Sequence, residues 1–277
     1  MALRISWPTC FFAYIYHAIA AKAASDCSLS SATPIALTIS NVSIASQDTS
    51  TYGIRFDVGD PKQNVCLTPS TVVDNTLVVS KSICAPENLQ NMTQAQCRSY
   101  HGGIFDLTAA GISFHNLSTT TNLPADPGWE KFNPQYTVAG GTNLDLVSNV
   151  AIPNMTVVVI TEGVNFTAGH LGLGKGSAVL QELKTSNKIP TLGFGLNAGS
   201  QSSQNPRNGN LVLGGYDSAS ITSPFYKYPM NYSDTLAERH CPLQVHIQGL
   251  QLLFEGQDPI ELLGEGDGHA ACIEPQV

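Results

Sequence analysis

Apolar and polar positions alternate with a period of two along several stretches, the pattern of strands that bury one face. In Pro34 to Ile44, Ile35, Leu37 and Ile39 alternate with Ala36 and Thr38; in Thr51 to Val58, Ile54, Phe56 and Val58 lie on one face and Arg55 and Asp57 on the other. Next comes a loop at Gly59-Asp60-Pro61, then the apolar runs Val65-Cys66-Leu67 and Leu77-Val78-Val79. Between the two runs the pattern predicts a turn at Pro69-Ser70-Thr71-Val72. Turns held between strands can aim a side chain from a rigid frame, which makes Ser70 a candidate functional position.

Further along, Cys84 to Cys97 reads as a polar loop, and His101 to Asp106 turns the chain back. Leu107 to Ala139 is poorly patterned and reads as loop. Leu144 to Ile160 resumes strand character, with a buried run at Val157 to Ile160. Ala168 to Ser177 is dense in glycine, which predicts close strand packing around Leu171 and Leu173. It lacks the G-K-S/T ending of a phosphate loop. Ser177 then caps a short helix with Val179, Leu180 and Leu183 on one face. Leu211 to Asp217 reads as a strand ending in a turn. Leu243 to Phe254 alternates, with a change of phase at Gly249 that fits a bulge. No heptad or long helical repeat occurs, so the chain is read as mainly β.

Composition agrees with that reading. Of 277 residues only 12% are charged, and 24 glycines and 16 prolines mark a chain rich in loops and strands. The formal charge is −8, with no basic cluster, which excludes nucleic acid and anionic membrane as partners. The N-terminus fits a secretory signal at residues 1–23. Arg4 supplies the positive region, Phe11 to Ala20 a short apolar stretch, and Ala18-Ile19-Ala20 or Ala21-Lys22-Ala23 a cleavage site. The apolar run is too short to span a bilayer and His17 interrupts it. Secretion is therefore expected, to the exterior or to a cell wall or vacuole, with no membrane contact after cleavage.

Cleavage leaves Cys27, Cys66, Cys84, Cys97, Cys241 and Cys272, an even number that suggests disulfides. Cys84 and Cys97 are near enough in sequence to pair. With no C-x-x-C and no H-E-x-x-H there is no metal site to assign and no cofactor. Sequons at Asn41, Asn91, Asn116, Asn154, Asn165 and Asn231 predict a glycoprotein.

Several of these segments together resemble the pepsin-like aspartic proteases (peptidase A1), and among them divergent secreted fungal members. Val58-Gly59-Asp60-Pro61-Lys62-Gln63 is similar to that family's approach to its first catalytic turn, and Leu77-Val78 to the Trp-Val that follows it. Cys84 and Cys97 resemble its disulfide loop, and His170-Leu171-Gly172 the element beneath the turn. Phe194-Gly195-Leu196 and Gly209 to Asp217 resemble the end of the first lobe, and Leu243 to Phe254 the start of the second. The resemblance implies an all-β fold, a pepsin-like acid protease barrel lobe over residues 28–225. It also implies an incomplete second lobe over 226–277, because the sequence stops where that lobe would still have strands to build.

In this register the family's first catalytic Asp-Thr-Gly falls on Ser70-Thr71-Val72, and the second Asp-Thr/Ser-Gly on Glu274-Pro275-Gln276. A shifted register would use Asp74-Asn75-Thr76, but Gly59, Gln63 and Leu77-Val78 fit only the first. Tyr136 is the candidate for the flap tyrosine by position. The family's chemistry needs two carboxylates in contact sharing one proton, with a water between them. Ser70 brings no charge, and Glu274 is longer and followed by Pro275. The expectation is a protease-like protein without proteolytic activity, binding peptide or protein in an inherited cleft. The alternative is an aspartic-type endopeptidase in which Asp74 or a partner chain supplies the acid. A serine-hydrolase reading finds no support: Ser70 lies in T-P-S-T-V, not in a G-x-S-x-G elbow, and His101, His170 and His246 show no partnering arrangement. Asp106, Asp145 and Asp217 read as isolated turn or surface acids.

Overall fold

The computed structural model describes residues 32–46, 49–89, 91–110, 114–116, 137–146, 150–162 and 168–221. Toward the C-terminus it describes 235–236, 239–240, 244–247, 249–252, 258–263 and 269–272. The chain divides into two units, Met1–Ser30 and Ser31–Val277, and every described residue belongs to the second. The fold is all-β: sixteen strands and two α-helices of seven and eight residues occur among the described residues. None of those helices is long and apolar enough to cross a membrane.

The alternating segments become β1 (Ile35–Ser46) and β2 (Thr49–Val58), paired antiparallel with Ser40 opposite Gly53. Their apolar sets, Ile35, Leu37 and Ile39 with Ile54, Phe56 and Val58, are all buried in one core. β3 (Gln63–Ser70) continues antiparallel from β2, with Phe56 opposite Val65. β4 (Thr76–Val79) pairs parallel with β7 (Val150–Ile160), and β6 (Thr137–Leu146) pairs antiparallel with β7 and with the end of β2.

The last pairing matters for shape. Through β8 (Gly169–Gly172), the ladders run β2-β3-β8-β4-β7-β6 and return to β2, so six strands close on themselves. A closed ring has no free edge to protect and encloses a filled core. Phe56, Leu67, Leu144, Val157, Val159 and Leu171 lie in that core. The intervening residues Leu77, Val79, Val158 and Ile160 form a second buried cluster on the other face. Burial on both faces explains the uninterrupted apolar run at Val157 to Ile160.

Beyond the ring, β1 extends the sheet to β10 (Gly209–Leu213) and then to β9 (Phe194–Asn197). Among the described residues, the strands after Leu213 take no part in this sheet and form three two-stranded ladders of their own. Gly249 falls between two of them, β13 (Gln244–Ile247) and β14 (Leu250–Leu252). The side chain of His246 lies outside the described residues.

Four expectations need correction. The turn does not begin at Pro69: β3 runs through Pro69 and Ser70, and the turn is residues 71–75. Proline is accommodated because β2 pairs with β3 only as far as Leu67, so that among the described residues one side of Pro69 has no ladder, while Leu171 of β8 pairs on the other. The polar stretch from Cys84 to Cys97 is not simply loop. It holds a 3₁₀ turn at Pro86–Asn88 and enters α1 (Gln94–Tyr100), started by a capping box in which Thr93 and Gln96 each bond the other's backbone N–H. Strand β6 starts at Thr137, inside the stretch read as loop, and Leu144 to Ile160 spans parts of two strands. Finally, the even cysteine count does not translate into pairing throughout: Cys84–Cys97 is a disulfide, but Cys66 is free and buried.

Candidate functional site

The β3–β4 turn hangs on β8, which inserts between the two strands it joins. Thr68, Pro69 and Ser70 pair parallel with His170, Leu171 and Gly172, while Leu77 of β4 pairs antiparallel with His170. The glycine-dense segment after β8 then wraps the turn. Leu173 N–H donates to the Ser70 carbonyl at 2.8 Å, Gly174 N–H to that of Val73 at 2.9 Å, and Ala178 N–H to that of Asp74 at 3.0 Å. Gly172 permits this approach, because a Cβ there would fall 2.6 Å from the Asn75 carbonyl oxygen.

Ser70 is 1% exposed. Its Oγ accepts a long hydrogen bond of 3.4 Å from Val72 N–H, a local turn contact. No imidazole or carboxylate among the described residues bonds to it, so nothing in this arrangement withdraws its proton. Thr71, Val72, Val73 and Asn75 are buried as well, and the Thr71 hydroxyl oxygen is enclosed without a hydrogen-bond partner. Glu274 and Tyr136 lie outside the described residues.

Asp74 is held differently. Its Oδ1 accepts from Gly176 N–H at 2.9 Å, and the residue is 9% exposed. A Cβ on Gly176 would meet Asp74 Oδ2 at 2.5 Å and its Cγ at 3.0 Å, so the carboxylate fills the space a side chain would need. The next residues open α2 (Ala178–Thr185), where Ser177 Oγ accepts from Leu180 N–H at 3.2 Å. The Asp74 carboxyl thus lies against the segment that leads into this helix, with Gly176 N–H as a donor to it. Its carboxylate anchors the glycine loop to the turn.

The remaining sequence candidates resolve into structural contacts. Asp106 and Asp145 are not isolated: Lys81 Nζ lies 2.9 Å from Asp106 Oδ2, and Lys62 Nζ lies 2.5 Å from Asp145 Oδ2. The hydrogen bond from Thr108, then that from Lys81, holds the Asp106 carboxyl below its ordinary range; the hydrogen bond to Asp145 raises the Lys62 ammonium above its own. Asp217 caps the 3₁₀ turn Ser218–Ser220, and its carboxyl is lowered by the Ser220 hydroxyl and Ala219 N–H. His170 Nδ1 lies 2.9 Å from Thr68 Oγ1 within the sheet. Cys66 Sγ donates to the Thr51 carbonyl at 3.6 Å, and burial pushes its thiol up to about 12.

His101 lies close to the disulfide. Its ring nitrogen and the two sulfurs fall within 4.8 Å of one another, all buried. The sulfurs are spent on each other, so the group as it stands is a cross-link beside an imidazole. Of the sequon residues, Asn41, Asn91 and Asn154 are exposed; the Asn116 side chain, Asn165 and Asn231 lie outside the described residues.

Sequence reasoning missed two carboxylate-centred loops. The role of Asp74 as a glycine-loop anchor is one; its only sequence trace is the spacing of Gly172, Gly174 and Gly176. The Asp106 loop is the other, where Oδ1 accepts from Thr108 N–H, the Thr108 hydroxyl and Ala109 N–H. The D-x-T order in Asp106-Leu107-Thr108 carries that signal.

No known family profile matches the chain, and no curated protein does. Among solved structures it is similar to an aspartic proteinase from Irpex lacteus, with a TM-score of 0.49 and 15% sequence identity. The likeness covers 87% of this chain and 62% of that one, so the chain spans less than two thirds of the length of the protein it matches.

Proposed function

We propose that this chain is a secreted glycoprotein with a pepsin-like lobe that binds peptide or protein and does not cleave it. One observation carries the reading. In the register that Gly59, Gln63 and Leu77-Val78 favour, the residue that corresponds to the first catalytic acid of the resembled proteases is Ser70, a buried hydroxyl at the end of β3. General acid–base hydrolysis by a carboxylate pair needs a charge at that point whose partner's pKa it can split. Serine has none. The closest carboxylate in sequence, Asp74, is engaged with Gly176 N–H. That engagement weighs against the alternative of an endopeptidase that draws its acid from Asp74.

The test is proteolysis by purified full-length protein of an acid-denatured protein substrate between about pH 3 and 6, with and without a transition-state-mimicking aspartic-protease inhibitor. No inhibitor-sensitive cleavage is expected. Cleavage that the inhibitor blocks would overturn the proposal, and its loss in Asp74→Asn would establish the endopeptidase reading instead. Secretion and glycosylation are checked apart from activity: mass analysis of protein from culture medium is expected to show an N-terminus near residue 24 and glycans on Asn41, Asn91 or Asn154.

A further inference from the structure

The sheet ends on β9, and that end is not sealed. In the antiparallel pairing of β9 with β10, Gly195 faces Val212 and Asn197 faces Asn210. Gly214 N–H donates to the Gly193 carbonyl at 2.8 Å. The two-residue alternation of such a ladder then turns Gly195 and Asn197 toward β10, and the N–H and C=O of Phe194 and Leu196 toward the outer edge. No strand among the described residues pairs with that edge.

A groove of about 610 Å³ runs beside β9 over its whole length. It is lined by residues 194–198, by Asn210 and Val212 of β10, and by Tyr216, Asp217, Ser220 and Ile221. Its lining carries exposed apolar side chains: Tyr216 is 57% exposed and Ile221 is 36%. Phe194 and Leu196 are only half-buried. Among the described residues, Asp217 is the charged one that lines the groove, and no cation does.

An unpaired strand edge, exposed apolar side chains and a lone carboxylate together describe one kind of occupant. We propose that β9 accepts an extended segment of a partner polypeptide as an added strand, about five residues long, with a lysine or arginine side chain directed at Asp217. Backbone hydrogen bonds to Phe194 and Leu196 supply affinity, and the groove reads alternate side chains. Five residues at about 3.3 Å each match the stretch from Phe194 to Ala198. The carboxylate sets the sign of charge the groove prefers. This surface is separate from the Ser70 turn, and the inference holds whether or not that turn is catalytic.

The test uses the full-length protein and three labelled seven-residue peptides with blocked ends, alternating valine and threonine. One has a central lysine, the second a central glutamate, and the third the central lysine with N-methylated backbone amides on one edge. Fluorescence anisotropy is expected to show binding of the lysine peptide and at least tenfold weaker binding of the other two. The lysine peptide is expected to shift the amide resonances of Phe194 and Leu196. Asp217→Asn is expected to cut the preference for lysine over glutamate below threefold. Because Asp217 also caps a turn, Asn210→Arg serves as a second variant: it places a cation in the groove and is expected to abolish lysine-peptide binding with an unchanged circular dichroism spectrum. Three results would each overturn the inference. They are equal affinity for all three peptides, no binding, and binding that survives both groove variants but is lost in a Ser70 turn variant. Concentration-dependent dimerisation that the lysine peptide fails to disturb, with no peptide bound, would assign the edge to a second copy and overturn it too.

Discussion

Asp74 and Gly176 form a pair whose energetics separate an anchoring carboxylate from a catalytic one. Replacing Asp74 with alanine leaves the Gly176 N–H without its acceptor in a half-buried loop, a loss of about 2 kcal/mol for a donor left unsatisfied. Replacing Gly176 with alanine sets a methyl group 2.5 Å from Asp74 Oδ2, and the three atoms nearest that methyl all belong to Asp74. The clash costs about 1–3 kcal/mol, set against roughly 0.4–1 kcal/mol gained by stiffening the unfolded chain. With Asp74 already removed, the clash disappears and only the gain remains. The double variant is therefore expected to be more stable than the sum of the singles by about 2 kcal/mol, far outside the few tenths that independent sites show. Equilibrium urea unfolding of the four proteins, read as midpoints at constant slope, measures the coupling. For a domain of this size the Asp74→Ala loss also lowers Tm by roughly 4–8 °C. Additivity within about 0.5 kcal/mol, or an Asp74→Ala variant as stable as wild type, would refute the anchoring role.

Other outcomes follow from the same contacts. The Asp106 carboxyl, held below its ordinary value in the fold chiefly by Thr108 and Lys81, adds stability that is present above about pH 4 and is lost as pH falls further. Wild type is thus expected to exceed Asp106→Asn in stability at pH 6, with the gap closing below pH 4 in unfolding titrations. Removing the Cys84–Cys97 bridge as a double alanine variant, which frees a loop of 13-residue separation, is expected to cost about 3 kcal/mol by the chain-entropy relation. Thermal unfolding checks that value, and a loss below about 1 kcal/mol would contradict it. The Cys66 thiol, pushed up to about 12 by burial, is expected to resist iodoacetamide at pH 8 in the native protein and to react in denaturant. Peptide mapping would reveal the contrary result as rapid native labelling of Cys66.

Much of the fold was legible because its signals are local. The period of two in Ile35, Leu37, Ile39 and in Ile54, Phe56, Val58 marked β1 and β2, and the buried face at Val157 to Ile160 stood out as an unbroken apolar run. Ser177 announced α2 as a cap. What escaped was non-local or short. Pro69 reads as a turn residue because proline lacks a ladder donor, and only the one-sided pairing with β8 reveals that none is needed there. The start of α1 was written in Thr93 and Gln96, but seven residues with little apolar periodicity do not declare a helix. The count of cysteines carried no information about Cys66, whose place is set by Gly53, where a Cβ would come 2.7 Å from the sulfur. Asp74 looked like a displaced catalytic acid because its partner, Gly176, stands 102 residues away.

That separation bears on how the protein is made. The strand that holds the turn in place, His170-Leu171-Gly172, is synthesised about a hundred residues after Thr68 and Ser70, its partners. At the usual pace of about 5–20 residues per second, β3 and β4 wait on the order of 5–20 seconds with bare edges before β8 arrives to slot between them. Non-local pairing of this kind makes folding slow and leaves apolar strands open to wrong partners in the interval. A nascent chain halted before Gly169 already holds five of the ring's six strands and the partners of four of its six ladders, and lacks only the strand that joins β3 to β4 and shuts the ring.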